Sequence, residues 1–233
     1  VHTGARPAYV DSNSETWGMD PVSLSLALEK GCRVQANGSV IDLESGLRVG
    51  AVMVVHLYGH PVDMTPILEI AERFRLPVIE DATESLGSVY RGIPTGILGN
   101  IGCFSFNGNK TITSGGGGII VSKDSRLVSK ARYLINQAKD PGDEFHHSEV
   151  GFNYRLSNLH AAVGLAQFER LEEFLTARRS HAQRYSAAFA ENPGITFSIE
   201  PKGSRSNYWL STVLLDHDKF ALPPAEVVTK MKE

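Results

Sequence analysis

The chain has 233 residues, enough to bury a sizeable core, and its 42% hydrophobic and 21% charged content is that of an ordinary soluble globular protein. A formal charge of −3 gives no basic footprint for nucleic acid or an anionic membrane, and no apolar run approaches bilayer-spanning length. Cys32 and Cys103 lie far apart without CxxC spacing, which argues against a zinc site or a disulfide framework and points to reduced thiols in a cytoplasmic protein. The chain opens on "VHTGARPAYVD", with no methionine and no signal-peptide pattern, and closes on "PAEVVTKMKE", the first turns of a helix. Both ends have the character of cuts through a longer protein.

In chain order, "AVMVVHLYG" (51–59) reads as a strand buried on both faces, being short, β-branched and almost wholly apolar. "DMTPILEIAERFR" (63–75) reads as a helix with Thr65 as N-cap, Pro66 at the first helical position, and Ile67, Leu68, Ile70, Ala71 and Phe74 on one face. "LPVIEDA" (76–82) is the next strand, which makes a βαβ unit and predicts a mostly parallel sheet covered by helices. "IGCFSF" (101–106) and "GGIIVSK" (117–123) predict two further strands, and "DSRLVSKARYLINQA" (124–138) an amphipathic helix. From Ser157 to Asn192 the pattern is helical throughout, and "YWLSTVLLD" (208–216) predicts a strand of a second domain.

The chemistry concentrates in "CFSFNGNKTITSGGGGIIVSK" (103–123), where Lys110 stands between a strand and four glycines. The spacing argues against a phosphate-cradling P-loop: five residues stand between Gly102 and Gly108 where four are required, and Asn109 separates Gly108 from Lys110. Ligands of open α/β sheets sit beyond the carboxyl ends of the strands, and "PVIED" delivers Asp81 to such an end. Alone, Asp81 reads as a strand-terminating cap and Lys110 as a solvated loop lysine. Together they match the needs of pyridoxal phosphate: a lysine to hold its aldehyde as a Schiff base and a carboxylate for its pyridine nitrogen. Ser105 is a candidate for its phosphate, and the glycines permit a close backbone turn beneath it.

"HLYGHPVDM", "VIEDATESLGS", "GCFSFNGNKTITSGGGG" and "GFNYRLSNLHAAVGLAQFERLEEF" together resemble the DegT/StrS family of PLP-dependent nucleotide-sugar aminotransferases. In look the chain is nearest the subgroup acting on UDP-4-keto-6-deoxy-N-acetylhexosamines. The resemblance implies a fold-type-I α/β large domain over residues 1–175, incomplete at its N-terminus, and the start of a small α/β C-terminal domain over 176–233. It makes Lys110 the catalytic lysine and proton shuttle, Asp81 the ring-nitrogen partner and Ser105 a phosphate ligand. Glu84 falls near the ring hydroxyl, where many members carry glutamine. Asn153 matches an asparagine that reaches the cofactor phosphate of the neighbouring subunit, which implies a homodimer whose segment "EFHHSEVGFNYRLSN" (144–158) crosses to the partner. The family's Gly-Thr phosphate turn and ring-stacking aromatic precede this stretch, so the 233 residues alone are expected to bind the cofactor poorly or not to fold.

The implied reaction takes an amino group from glutamate to the 4-keto group of a nucleotide sugar, with no metal, nucleic acid or membrane partner. Lys110 itself argues against the dehydratase branch, in which histidine replaces the lysine. Two alternatives stay open: another PLP reaction on a keto sugar, and a non-catalytic regulator that binds PLP or a nucleotide sugar.

Overall fold

The computed structural model describes residues 3–142, 145–219 and 222–232. Val1 and His2 of the opening segment, Glu144 at the head of the expected crossing segment, and Glu233 lie outside them.

Helix α1 (Pro21–Gly31) starts where the Asp20 carboxylate accepts the Ser23 amide at 2.8 Å, with Pro21 at a position whose N–H has no helical partner. There follow β1 (Cys32–Val34), β2 (Val40–Asp42), β3 (Val52–Val55), a tight turn at Leu57–Gly59, α2 (Met64–Arg73) and β4 (Val78–Asp81). Beyond these come β5 (Val89–Tyr90), β6 (Ile93–Pro94), β7 (Ile101–Ser105), β8 (Gly118–Val121), α3 (Ser125–Ile135), α4 (Asn158–Phe168) and α5 (Leu171–Phe189). The chain continues through β9 (Ile195–Phe197), β10 (Ser204–Arg205), β11 (Val213–Leu215) and α6 (Pro224–Lys230).

The central sheet has the order β3-β4-β7-β8. The first three strands are parallel, with Val55 beside Asp81 and Asp81 beside Cys103, and β8 closes the row antiparallel. This is the mostly parallel α/β sheet expected, and β3–α2–β4 is its βαβ unit. Among the described residues three small antiparallel sheets lie outside it: β1 with β2, β9 with β11, and β5 between β6 and β10.

The main core sits on one face of this sheet, where Leu24 and Leu28 of α1 and Met64, Ile67, Ile70 and Ala71 of α2 meet Val52, Val54 and Val78. On α2 these buried residues follow the helical period, and each of the larger side chains, Met64, Ile67 and Ile70, contributes about 1.5–3 kcal/mol when removed from water.

β3 is buried on one face only: Val52 and Val54 point into the core, while Met53 is 56% exposed. A run of four apolar residues fits either arrangement, and the pleat decides between them. α2 begins at Met64 with Asp63, not Thr65, at the N-cap position. The Tyr90 hydroxyl takes over the capping, bonding Asp63 and the Thr65 hydroxyl and receiving the Thr65 amide at 3.2 Å. The helical stretch 157–192 is two helices broken at Glu169–Arg170, with the Ser157 hydroxyl capping the first. Helix α3 ends at Ile135 rather than residue 138, because Gln137 and Ala138 adopt positive φ. Of "YWLSTVLLD", only Val213–Leu215 is strand. Both cysteines are free, and among the described residues no helix is long and apolar enough to cross a membrane.

Candidate active site

The last two residues of β4 are both acidic, and the strand pleat sends them to opposite faces of the sheet. Glu80 enters the core face, fully buried. Its carboxylate accepts the amides of Gly96 and Gly99 at 2.7 and 2.6 Å and meets His56 Nε2 at 3.0 Å. His56 Nδ1 accepts the Val62 amide, so the ring proton stands on Nε2 and is donated to Glu80. Burial acts to raise the Glu80 carboxyl, but the hydrogen bonds from His56, Gly99 and Gly96 outweigh it and hold the group below the usual glutamate value. Asp81 takes the other face, half-buried at the carboxyl end of β4, where Oδ1 accepts the Thr83 amide at 3.2 Å. On the adjacent strand, burial and then the charge of Asp81 push the Cys103 thiol up.

Ser105 ends β7, its hydroxyl accepting the Asn107 amide at 3.3 Å. The chain then leaves the sheet in a closed loop. Its neck is tied by the Phe106 amide to Gly117 O at 2.9 Å and the Ser114 amide to Phe106 O at 3.0 Å. Three of the four glycines resist a side chain, Gly115 through its φ of +82° and the last two through contact. Gly117 has φ +82° and a Cβ there would lie 2.5 Å from Leu156, and a Cβ on Gly118 would lie 2.2 Å from Phe104 O.

Lys110 sits within this loop, its side chain only 14% exposed. Its Nζ lies 4.0 Å from Glu84 Oε1 and 4.2 Å from the centre of the Trp209 ring. The other carboxylate oxygen of Glu84 accepts the Tyr58 amide at 2.7 Å, and Tyr58 holds the left-handed conformation at φ 57°.

The structure therefore brings Lys110 and Glu84 together and sets Asp81 and Ser105 at the carboxyl ends of adjacent strands. Asn153 is placed differently. It is exposed, and residues 152–154 run along the end of α3, with the Phe152 amide on Leu134 O at 2.7 Å and the Tyr154 amide on Ile135 O at 3.1 Å. Among the described residues no hydrogen bond joins Asn153 to the lysine loop.

Sequence reasoning missed His56, Glu80, Tyr58, Asn207 and Trp209. Asn207 is 1% exposed, and its side-chain amide donates to Glu84 O and Leu86 O at 2.8 and 2.9 Å and reaches Thr111 Oγ1 at 3.3 Å. A signal was available: an asparagine inside the aromatic run "NYW" is out of place in a strand and suited to a buried hydrogen-bonding role.

EpsN of Bacillus subtilis (strain 168), named for a pyridoxal phosphate-dependent aminotransferase, is 42% identical over all of this chain and 56% of its own length. The GDP-perosamine synthase of Escherichia coli O157:H7 is 38% identical over 91% of this chain and 53% of its own. Among solved structures, S. venezuelae DesV superposes with a TM-score of 0.83 at 28% identity, covering 99% of this chain and 56% of that one. The chain thus spans about half the length of the curated relatives it matches. The profile of one family matches residues 1–233, and the chain belongs to it: the DegT/DnrJ/EryC1/StrS aminotransferase family.

Proposed function

We propose that this chain carries the reactive lysine of a pyridoxal 5'-phosphate-dependent aminotransferase acting on nucleotide sugars. The observation that carries the reading is the withdrawal of Lys110 from solvent beside Glu84, next to two strand ends that bear Asp81 and Ser105. The donor set fits the cofactor: an amine for its aldehyde, a carboxylate for its ring nitrogen and a hydroxyl for its phosphate. When bound, pyridoxal phosphate supplies the electron sink for amino-group transfer. Lys110 would hold its aldehyde and move a proton at Nζ, Asp81 would face its ring nitrogen, and Ser105 would donate to its phosphate. Glu84, fixed by the Tyr58 amide, serves the ring-hydroxyl side.

The finer reading is transfer from glutamate to the 4-keto group of a UDP-linked 4-keto-6-deoxy-N-acetylhexosamine, in bacterial surface-glycan or amino-sugar biosynthesis in the cytoplasm. The four sequence motifs support the sugar class, and the identity to a GDP-perosamine synthase makes the nucleotide the variable to test. Residues 1–175 form the cofactor domain and 176–233 the start of the small domain in this reading, with α5 running continuously across the division. The enzyme is a homodimer in which Asn153, exposed here, turns to the phosphate held by its partner.

The test uses the protein produced from its natural gene. Borohydride reduction with pyridoxal phosphate, followed by peptide mapping, places the pyridoxyl group on Lys110. Turnover with glutamate across UDP-, GDP- and dTDP-4-keto sugars then identifies the substrate. A label on Lys123 or Lys130 overturns the site, and binding without turnover on any sugar converts the reading to a regulator.

A further inference from the structure

Trp209 is separated from Lys110 by 99 positions in the chain, yet every polar group it owns is spent on fixing its ring over that lysine. Its backbone amide donates to Asn207 Oδ1 at 2.8 Å, and its carbonyl accepts from Arg178 Nη1 at 2.8 Å. The indole N–H donates at 2.8 Å to the carbonyl of Asn109, the residue immediately before Lys110. Trp209 is 8% exposed, and its ring face meets the lysine nitrogen.

The support behind it is equally specific. Asn207 reaches the 84–88 segment and Thr111 at once, and its own amide donates to Ser88 Oγ at 2.9 Å. Gly59 lets it in: a Cβ there would stand 1.8 Å from Asn207 Oδ1 and 3.0 Å from the Trp209 amide. The 206–209 segment thus ties Glu84, Thr111 and Asn109 into one body around Lys110. An apolar filler would need none of these bonds.

We infer that Trp209 is a positioning residue for Lys110. The electron-rich face of the indole holds the lysine as a cation beside Glu84, so that the nitrogen returns to one place whenever it carries its charge. Asn207 indexes the ring, and the Asn109 carbonyl locks its rotation. The inference rests on the reading of Lys110 as the reactive lysine. It assigns the 206–209 stretch, which lies beyond the sheet, a part in ordering that lysine.

Two measurements test it on the protein from its natural gene. In the first, the protein is loaded with glutamate, which releases Lys110 as a free amine, and freed of excess glutamate; its lysines are then reductively dimethylated with 13C-formaldehyde, and the Lys110 resonance is assigned by its loss in Lys110→Arg. A methylammonium over an indole face resonates upfield of the other lysines, and Trp209→Leu returns it to their position. In the second, the glutamate half-reaction is followed in single turnover for Trp209→Phe and Trp209→Leu. The expected order is wild type, then Phe, then Leu, with Leu slowed about tenfold and KM for glutamate little changed. An unshifted Lys110 resonance in the wild-type protein overturns the inference with no variant needed. So does equality of Phe and Leu, which would make the ring a packing element only. Where Trp209→Leu fails to fold, the wild-type resonance and Trp209→Phe decide. Borohydride mapping to Lys110 separates the two levels: a label elsewhere sinks the site itself, whereas a label on Lys110 with an unshifted resonance sinks only the role of Trp209.

Discussion

Glu80 and Asp81 are consecutive residues of one strand, alike in charge, and the pleat gives them unlike surroundings. Glu80 is fully buried on the core face with two backbone amides and an imidazole on its oxygens. Asp81 stands on the other face with one weak local bond, close to the ends of the sheet's strands. The same contrast runs along β3, where Val54 is fully buried and Met53 is exposed. One face of the sheet is committed to cohesion, and the other leaves Asp81 with a single local bond.

Substitution tests that separation, and the largest effect falls on the open face. Asp81→Asn is expected to slow amino transfer several thousandfold, about 5 kcal/mol in the barrier, with the urea unfolding midpoint unchanged. Near-normal single-turnover rates would reduce Asp81 to a strand-end cap and erase the contrast.

The mirror experiment is Glu80→Ala, which strands His56 and the amides of Gly96 and Gly99. It is expected to cost about 3–5 kcal/mol in urea denaturation while folded molecules retain their activity. The pH sign follows from the depressed carboxyl. The stabilisation from Glu80 is fully present above the ordinary glutamate value of 4.5 and is lost as pH falls through the lower folded value. An acid limb of the stability curve that is identical in wild type and Glu80→Ala would contradict this.

A smaller effect comes from His60, buried with Nε2 at 2.8 Å from Ser198 Oγ and its ring edge-on to Tyr208. Burial lowers it from 6.5 to about 4, against the opposing pull of Glu200, itself bound to Arg179. The folded chain thus resists a proton that the unfolded chain accepts between those values. Stability is expected to fall by about 2–3 kcal/mol as pH drops across that window. Urea midpoints at pH 7 and pH 5 should differ less in His60→Gln than in wild type.

The smallest effect is expected at Met53→Ser, within about 0.5 kcal/mol as measured by thermal melting. A cost of several times that size would show the open face to be covered in the functional assembly, and would sharpen the comparison into one between an inner and an assembled surface.

How far the sequence discloses this depends on the range of the interactions. The βαβ unit is legible because α2 repeats its apolar residues with a helical period and the turns are short. Asp81, Ser105 and Lys110 are legible because they follow strands at positions that local pattern reveals. The one-sided burial of β3 is hidden, since four apolar residues in a row carry no alternation to read. The break at Glu169–Arg170 is hidden too, because both residues suit a helix and no glycine or proline marks the join. Trp209 escapes notice for a different reason: its partners at 109, 110 and 178 are set by topology, and the run around it has the composition of a strand.

The anchoring of Glu84 through the Tyr58 main chain has a consequence for how such a site changes over time. The donor is an amide N–H, which persists whatever side chain occupies position 58, provided the left-handed turn is kept. The acceptor is a single oxygen, which glutamine offers as well as glutamate. An exchange at position 84 therefore alters the charge facing Lys110 while leaving the geometry in place. Charge and shape are separately inherited at this position, and selection on the charge beside Lys110 can act without disturbing the geometry.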